Sequence, residues 1–281
     1  PWESAKFMNY RHAYHAGNFA DVLKHGVLAW VVRYLQQKEA PLSLIDTHAG
    51  AGVYDLTGVA AAKTSEAKGG ILRIVSKDAP PALQPYLDVV REMNGDEIKS
   101  YPGSPALMLA LARENDRVFA CELHPEDSEA LRRSLGADPR LRVTTGDGYE
   151  RLLTLVPPRE KRGLVLIDPP FEEPDEFERL ARAFIAAHRK WPTGTYVLWF
   201  PVKHPSELDR FQAELLSAGI KRLTLVTFNV ARAEGLSKTG LILCNAPFTF
   251  GSEWSATLAW LTEKLAQGQG ARAETVALTG D

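Results

Sequence analysis

The hydrophobic residues of this chain fall largely into short unbroken runs rather than into strictly alternating patterns. Such runs are typical of strands that are covered by helices on both faces of a parallel sheet. The predicted strands are residues 42–47, 117–122, 141–145, 163–168, 195–200, 222–229 and 240–245. Between them, apolar residues recur with helical spacing. The predicted helices are residues 19–37, 105–114, 126–135, 147–155, 175–190, 206–218 and 254–266.

The alternation of strands and helices predicts an α/β fold with a doubly wound, mostly parallel sheet. In such sheets ligands bind at the carboxyl ends of the strands, where the strand order reverses. Ser104 is the predicted N-cap of its helix and Pro105 the first helical residue. The last dozen residues are expected to be loosely ordered.

Composition and charge limit the number of domains and the classes of function that are possible. The 281 residues are 45% hydrophobic, enough for one large α/β domain or two smaller ones. A net charge of −2 excludes a global basic field, so nucleic acid could bind only at a local basic patch. Cys121 and Cys244 lie in apolar runs, which predicts buried thiols and a cytoplasmic location. No apolar run is long enough to span a membrane.

Three consecutive predicted strands end next to carboxylates or glycines. The first ends in IDTHAGAG, where Gly50 and Gly52 would let the backbone approach a ligand. The second ends in Glu122, which could accept hydrogen bonds from ribose hydroxyls or be a solvated strand-end carboxylate. The third ends before Asp147-Gly148, which could hold an adenine amino group or cap the following helix.

The spacing of these motifs predicts an insertion. Gly52 and Glu122 stand 70 positions apart, too far for a loop in a compact domain. Residues 54–102 are therefore predicted to be an inserted helical subdomain, with weak helix signals at 69–77 and 82–94. Residues 8–53 and 103–281 would form the main domain. Residues 1–7 precede Met8 and are expected to be a short added or natural extension.

The fourth strand ends in Asp168-Pro169-Pro170-Phe171. The prolines have no N–H, so beside the carboxylate the backbone offers only carbonyl acceptors. A rigid set of acceptors suits a substrate group that donates, such as an exocyclic amine. Phe171 offers an aromatic face for a planar base taken out of its stack. Taken alone, the motif could also be a turn with a helix-capping acid.

D-P-P-F after a buried strand resembles the motif of S-adenosylmethionine-dependent amino-methyltransferases. The wider set of motifs resembles one family, the bacterial 23S (large-subunit) ribosomal RNA adenine-N6 methyltransferases. The motifs that carry this resemblance are YRHAYHAGNFADVLKH (10–25), DTHAGAG (46–52), YPGSP (101–105), ELHP (122–125), DG (147–148), GLVLIDPPFE (163–172) and LWFPV (198–202). The resemblance implies a Rossmann-like class I methyltransferase fold with a small inserted helical subdomain.

The resemblance also implies roles for individual residues. S-adenosyl-L-methionine would be the methyl donor, with S-adenosyl-L-homocysteine as product. The residues implied to bind it are His25, His48, Ser104, Glu122, Asp147, Gly148 and Asp168. Asp168, Pro169, Pro170 and Phe171 would form the transfer point. Tyr10, Arg11, Lys24 and Phe171 would contact the substrate. Phe171 stands where tyrosine is frequent in such motifs, which preserves stacking but removes a hydroxyl.

The expected reaction is in-line transfer of a methyl group to an exocyclic amine held by Asp168 and the Pro169 carbonyl. The expected partner is 23S ribosomal RNA, free or in an assembly intermediate, and the expected state is a monomer. No metal is predicted, because His12 and His15 have no clear partner ligands. The alternatives are methylation of guanine N2, of DNA adenine or of a protein glutamine, a nicotinamide-dependent oxidoreductase, and an RNA-binding protein with an inactive site. The absent first glycine of G-x-G-x-x-G argues against the oxidoreductase.

Overall fold

The computed structural model describes residues 15–58, 65–75 and 78–280. The strands are β1 Ser43–Asp46, β2 Val53–Asp55, β3 Ser100–Pro102, β4 Arg117–Glu122, β5 Leu141–Thr145, β6 Gly163–Ile167, β7 Thr195–Pro201, β8 Leu223–Asn229, β9 Lys238–Cys244 and β10 Arg272–Ala277. The α-helices are α1 Phe19–Leu35, α2 Ile71–Ile74, α3 Gln84–Asn94, α4 Ser104–Leu111, α5 Pro125–Leu135, α6 Gly148–Leu155, α7 Glu176–Lys190, α8 Pro205–Ser217 and α9 Phe250–Leu265. Two short 3₁₀ turns occupy Glu66–Gly69 and Pro81–Leu83.

Eight of these strands form one sheet in the order β10-β8-β9-β7-β6-β1-β4-β5. The neighbours from β5 through β4, β1 and β6 to β7 are parallel, whereas β9 runs antiparallel to β7 and β8, and β10 antiparallel to β8. The chain passes from β1 to β4 and β5 on one side, then returns to β6 and β7 on the other. The strand order therefore reverses at β1, and the predicted doubly wound, mostly parallel sheet is confirmed.

Helices cover both faces of the sheet, which explains the unbroken apolar runs. In β1, Leu44 packs into a core shared with α1, α4 and α9, and Ile45 packs into a core shared with α6, α7 and α8. Every residue of β6 is buried. Because side chains alternate between the two faces, a strand covered on both sides must be apolar at successive positions.

The segment that is predicted to be inserted begins and ends at a small antiparallel sheet that the sequence did not reveal. β2 and β3 pair with Val53 opposite Pro102 and Asp55 opposite Ser100. Helix α3 buries Tyr86, Leu87 and Val90 in the same core as α1. Gly26 on α1 allows this approach, because a Cβ there would lie 2.7 Å from Leu83 Cδ2. The inserted residues thus share the hydrophobic core of the main sheet.

Two expectations were wrong. The end of the chain is ordered, because Arg272–Ala277 pairs along its whole length with β8. This edge strand is mostly exposed, so it has no apolar run to reveal it. Ser104 is not an N-cap: Gly103 holds that position, no side chain caps the helix, and Ser104 is its first residue.

Cys121 and Cys244 are buried free thiols, as predicted. None of the helices in the described part of the chain is long and apolar enough to cross a membrane.

Candidate active site at the carboxyl edge of the sheet

A cleft lies where the carboxyl ends of β1, β4, β5 and β6 meet. Parallel strands bring their carboxyl ends to one edge, which is how motifs distant in sequence become neighbours. The predicted site residues that line the cleft are Lys24, His25, His48, Ser104, Glu122, Asp147, Gly148, Asp168, Pro169 and Pro170. Tyr10 and Arg11 lie outside the described residues, as does the 1–7 extension.

Glu122 lies at the end of β4 with 8% of its surface exposed. Its Oε2 accepts from the backbone N–H of Gly50 at 2.7 Å, and its Oε1 accepts from that of His124 at 2.7 Å. Gly50 has φ +61°, a left-handed conformation that favours glycine. Burial raises the pKa of Glu122, although both backbone donors oppose that rise. A carboxylate can accept about four hydrogen bonds, so further donors from a ligand would stabilise its charged form.

Asp147 caps helix α6. Its Oδ1 accepts from the N–H of Tyr149 at 2.8 Å and of Glu150 at 3.2 Å, which confirms the capping interpretation of this residue. Its Oδ2 lies 3.5 Å from Arg179 Nη2. Gly148 is required here for space, because a Cβ would collide with the carbonyl oxygen of Thr47.

Lys24 forms two ion pairs inside the cleft wall. Its Nζ lies 2.5 Å from Asp168 Oδ2 and 2.8 Å from Asp21 Oδ1, with only 3% of the lysine side chain exposed. Burial alone would lower the pKa of Lys24, but Asp168 and Asp21 raise it above its usual value. The ammonium also lies 5.7 Å from the centre of the Trp199 ring. An ammonium enclosed in this way is not available to an RNA phosphate, so Lys24 does not belong to an exposed basic patch.

Two further groups at the end of β1 have strongly shifted pKa values. Asp46 is fully buried, and desolvation together with the charge of Asp168 raises its pKa to about 7, against the effect of Ser104, His48 and Lys24. Burial lowers the pKa of His48 to about 4, so its ring is neutral at physiological pH. The His48 Nδ1 lies 2.8 Å from Thr47 Oγ1.

His25 connects the cleft to the insertion. Its Nδ1 shares a hydrogen bond of 2.7 Å with the hydroxyl of Tyr101, which in turn lies 2.9 Å from the hydroxyl of Tyr86. Burial raises the pKa of both tyrosines above their usual value, so both hydroxyls stay protonated. The histidine ring also stacks on Tyr101, with ring centres 5.6 Å apart.

The end of β6 presents Asp168, Pro169 and Pro170 to the cleft, but Phe171 is not among the lining residues. Its ring packs edge-on against Phe177 at 4.8 Å and Trp199 at 5.9 Å. Its φ of +52° is in the left-handed region, which is strained for a large side chain. The structure therefore brings three members of D-P-P-F to the cleft and turns the fourth toward an aromatic cluster.

Sequence comparison identifies relatives of this chain. The family model described as "Ribosomal RNA large subunit methyltransferase D, RlmJ" matches residues 39–277. The chain is 37% identical over 263 residues to the Escherichia coli protein named ribosomal RNA large subunit methyltransferase J, covering 92% of this chain and 94% of that protein. The chain belongs to this family. The Haemophilus influenzae member is 34% identical over 264 residues, with the same coverage.

Solved structures agree with this family fold. A crystal structure of a Legionella pneumophila protein superimposes with a TM-score of 0.87 at 33% identity, covering 94% of this chain and 98% of that one. A probable spermidine synthase from Corynebacterium glutamicum has a TM-score of 0.51 at 14% identity, covering 95% of this chain and 77% of that one. The similarity to the spermidine synthase shows only that the two proteins share a fold.

Several residues of the cleft were not predicted from the sequence. Asp21 binds Lys24, while Tyr149, Glu176 and Arg179 form one wall. The positions of Asp21 and Lys24, one turn apart on α1, could have suggested an ion pair. Nothing in the sequence pairs Tyr149 with Glu176, because their contact depends on the packing of α6 against α7.

Proposed function

We propose that this chain N6-methylates an adenine of 23S ribosomal RNA, and that Asp168 and the Pro169 carbonyl hold the acceptor amine. The observation that supports this assignment is that Asp168 and Pro169 both line the cleft, where Asp168 forms the ion pair with Lys24. The chain is an S-adenosylmethionine-dependent ribosomal RNA methyltransferase of the RlmJ family. The roles of individual residues are our proposal.

The cleft fits S-adenosyl-L-methionine, which when bound supplies an activated methyl group. The buried Glu122 carboxylate is already engaged by two backbone donors and has acceptor capacity left for a ribose diol. Asp147 and Gly148 would bind the adenine at the other end. His25, His48 and Ser104 would lie along the methionine part, and the neutral His48 ring would bring no positive charge there.

Asp168 would act mainly by orienting the acceptor. Lys24 donates to its Oδ2, so the carboxylate is held in a fixed direction. The lone pair of an exocyclic adenine amine is delocalised into the ring. Hydrogen bonds from the two amine hydrogens to Asp168 and to the Pro169 carbonyl would localise that lone pair on nitrogen. Most of the rate enhancement would then come from positioning, with Asp168 as the first acceptor of the proton that is released.

An adenine in folded RNA can reach Asp168 only if it leaves its stack. Tyr10 and Arg11 are proposed to contact that base or its neighbours, whereas Phe171 packs against Phe177 and Trp199 and is not among the residues that line the cleft. The inserted residues 54–102 are proposed to act as a subdomain of the same unit, because their helix α3 packs on α1. We further propose that the protein works as a monomer in the cytoplasm on free ribosomal RNA or an assembly intermediate.

Incubation with unmethylated 23S ribosomal RNA and S-adenosylmethionine, followed by mass mapping of the nucleosides, tests this function. We expect N6-methyladenosine at one position, and none with Asp168→Ala. Methylated guanine, or methylation of DNA adenine in preference to RNA, would overturn the assignment. Comparing deproteinised RNA with assembly intermediates in the same assay tests the form of the substrate.

A further inference from the structure

Four side chains form one wall of the cleft and connect α6 to α7. They are Asp147, Tyr149, Glu176 and Arg179, and all four line the cleft. Asp147 precedes the first residue of α6, and Glu176 is the first residue of α7. α7 follows the D-P-P-F loop in the chain. The wall therefore connects the proposed adenine site at the start of α6 with the segment that follows the proposed transfer point.

The wall is built around the guanidinium of Arg179. Its Nη2 lies 3.5 Å from Asp147 Oδ2, and its Nη1 lies 3.4 Å from Glu176 Oε2. Its central carbon lies 5.2 Å from the centre of the Tyr149 ring. Arg179 is thus placed between two carboxylates and against an aromatic ring, a combination that suits its planar charge.

Glu176 is fixed independently of Arg179. Only 2% of its surface is exposed, and its Oε1 accepts from the Tyr149 hydroxyl at 2.7 Å. Burial raises the pKa of Glu176, while the Tyr149 hydroxyl and the Arg179 charge lower it. The Tyr149–Glu176 hydrogen bond therefore holds in place the second carboxylate that Arg179 contacts.

The two oxygens of Asp147 have different surroundings. Oδ1 accepts from two N–H groups at the start of α6, whereas Oδ2 lies 3.5 Å from Arg179 Nη2 and Asp147 is one of the residues that line the cleft. This contact with Arg179 is an ion pair rather than a short hydrogen bond, so Oδ2 keeps acceptor capacity for a further donor. A ligand that donates a hydrogen bond in the cleft can use this remaining acceptor capacity. The charge of the Arg179 guanidinium would hold the Asp147 carboxylate in a fixed orientation.

We propose that Arg179 is a positioning residue for the methyl donor, and that it aims Asp147 Oδ2 at the 6-amino group of the adenine. This inference rests on the proposed function, under which Asp147 and Gly148 bind that adenine. A purely structural Arg179 would stabilise the α6–α7 contact without selecting for the amino group.

Measuring the binding of two ligands by calorimetry distinguishes a positioning role of Arg179 from a purely structural one. The ligands are S-adenosylhomocysteine and its analogue in which hydrogen replaces the 6-amino group. For Arg179→Gln we expect the Kd of S-adenosylhomocysteine to rise about threefold to tenfold, and the Kd of the analogue to stay within about twofold. An equal rise for both ligands, or no rise for either, would overturn the proposal. Arg182→Gln is the matched control, since Arg182 lies on the same helix with 67% of its side chain exposed.

A double-mutant cycle tests whether Arg179 acts through Asp147. Asp147→Asn keeps an oxygen for the helix cap but removes the charge that Arg179 binds. In that background Arg179→Gln should change the Kd of S-adenosylhomocysteine by less than about twofold. Additive effects of the two substitutions would contradict the proposal. If the unaltered protein did not bind S-adenosylhomocysteine at all, the proposed function itself would fail. That outcome differs from an Arg179→Gln variant whose Kd equals that of the unaltered protein, which would contradict only the role of Arg179.

Discussion

Lys24 and Asp168 form an ion pair with Nζ and Oδ2 2.5 Å apart, although 144 residues separate them in the chain. Asp21 provides a second carboxylate at 2.8 Å, so the ammonium is shared. The pair fixes the orientation of the carboxylate that faces the acceptor amine in the proposed reaction. It also attaches α1 to the end of β6, and therefore makes the geometry of the site depend on the N-terminal helix.

We expect Asp168→Ala to abolish methyl transfer and to leave the secondary structure intact. The substitution removes the acceptor for the amine. Asp168→Asn should keep a small residual activity, because its amide oxygen still accepts a hydrogen bond. Transfer of labelled methyl groups to RNA, compared with circular dichroism of each variant, checks this. An alanine variant with near-normal turnover would remove Asp168 from the reaction.

Lys24→Met should lower the free energy of unfolding by roughly 3–5 kcal/mol, since it leaves the buried Asp21 and the partly buried Asp168 without their cation. Adding Asp168→Asn should restore part of that loss by removing one of the two charges. Urea denaturation of the single and double variants measures both effects. Lys38→Met, at an exposed position just beyond α1, is the control. A double variant less stable than Lys24→Met would contradict this account.

The sequence predicted the parallel sheet and ten of the residues that line the cleft, because each of these depends on a local signal. Buried apolar runs give β1, β4 and β6, and the residues that follow a parallel strand must lie at one edge. Two of the departures from these predictions have clear physical reasons. β10 is an exposed edge strand without an apolar run, and Phe171 turns away from the cleft in a left-handed backbone conformation that no residue pattern specifies. The Tyr149–Glu176 contact depends on helix packing, which sequence spacing does not define.

Glu122→Gln should weaken the binding of S-adenosylhomocysteine more than it slows the chemical step. The loss of charge reduces hydrogen bonds to the ribose, each worth roughly 1.5–3 kcal/mol when one partner is charged. Calorimetry gives the Kd, and turnover at saturating S-adenosylmethionine gives the rate. Glu129→Gln on α5, where Glu129 is 58% exposed, is the matched control. An unchanged Kd for Glu122→Gln would return this residue to a structural role.

Tyr10 lies outside the described residues, and its role stays a prediction from sequence. If it stacks on the adenine, Tyr10→Ala should reduce turnover on RNA while Tyr10→Phe retains most of it. Stacking of a base on an aromatic side chain is worth about 1–3 kcal/mol. A loss of melting temperature in step with the loss of turnover would instead indicate that Tyr10 only packs the N-terminal segment.

The raised pKa of Asp46 predicts an unusual dependence of stability on pH. The pKa of an aspartate in an unfolded chain is about 3.9, whereas burial raises the pKa of Asp46 in the folded protein to about 7. Between these values the folded state binds more protons than the unfolded state, so this group makes the protein less stable as pH rises. Above about pH 7 the buried charge exerts its full destabilising effect.

Asp46→Asn should therefore raise the melting temperature at pH 8 and have little effect at pH 5, where Asp46 is already protonated. Melting curves across this range test the sign directly. Asp88→Asn is the control, because Asp88 is 57% exposed on α3 and pairs with Arg91 one turn away. A stabilisation by Asp46→Asn that did not change with pH would show that the carboxyl group is not titrating there. A loss of stability at pH 8 would contradict this account. It would mean that the negative charge of Asp46 stabilises the fold, through its attraction to the Lys24 ammonium.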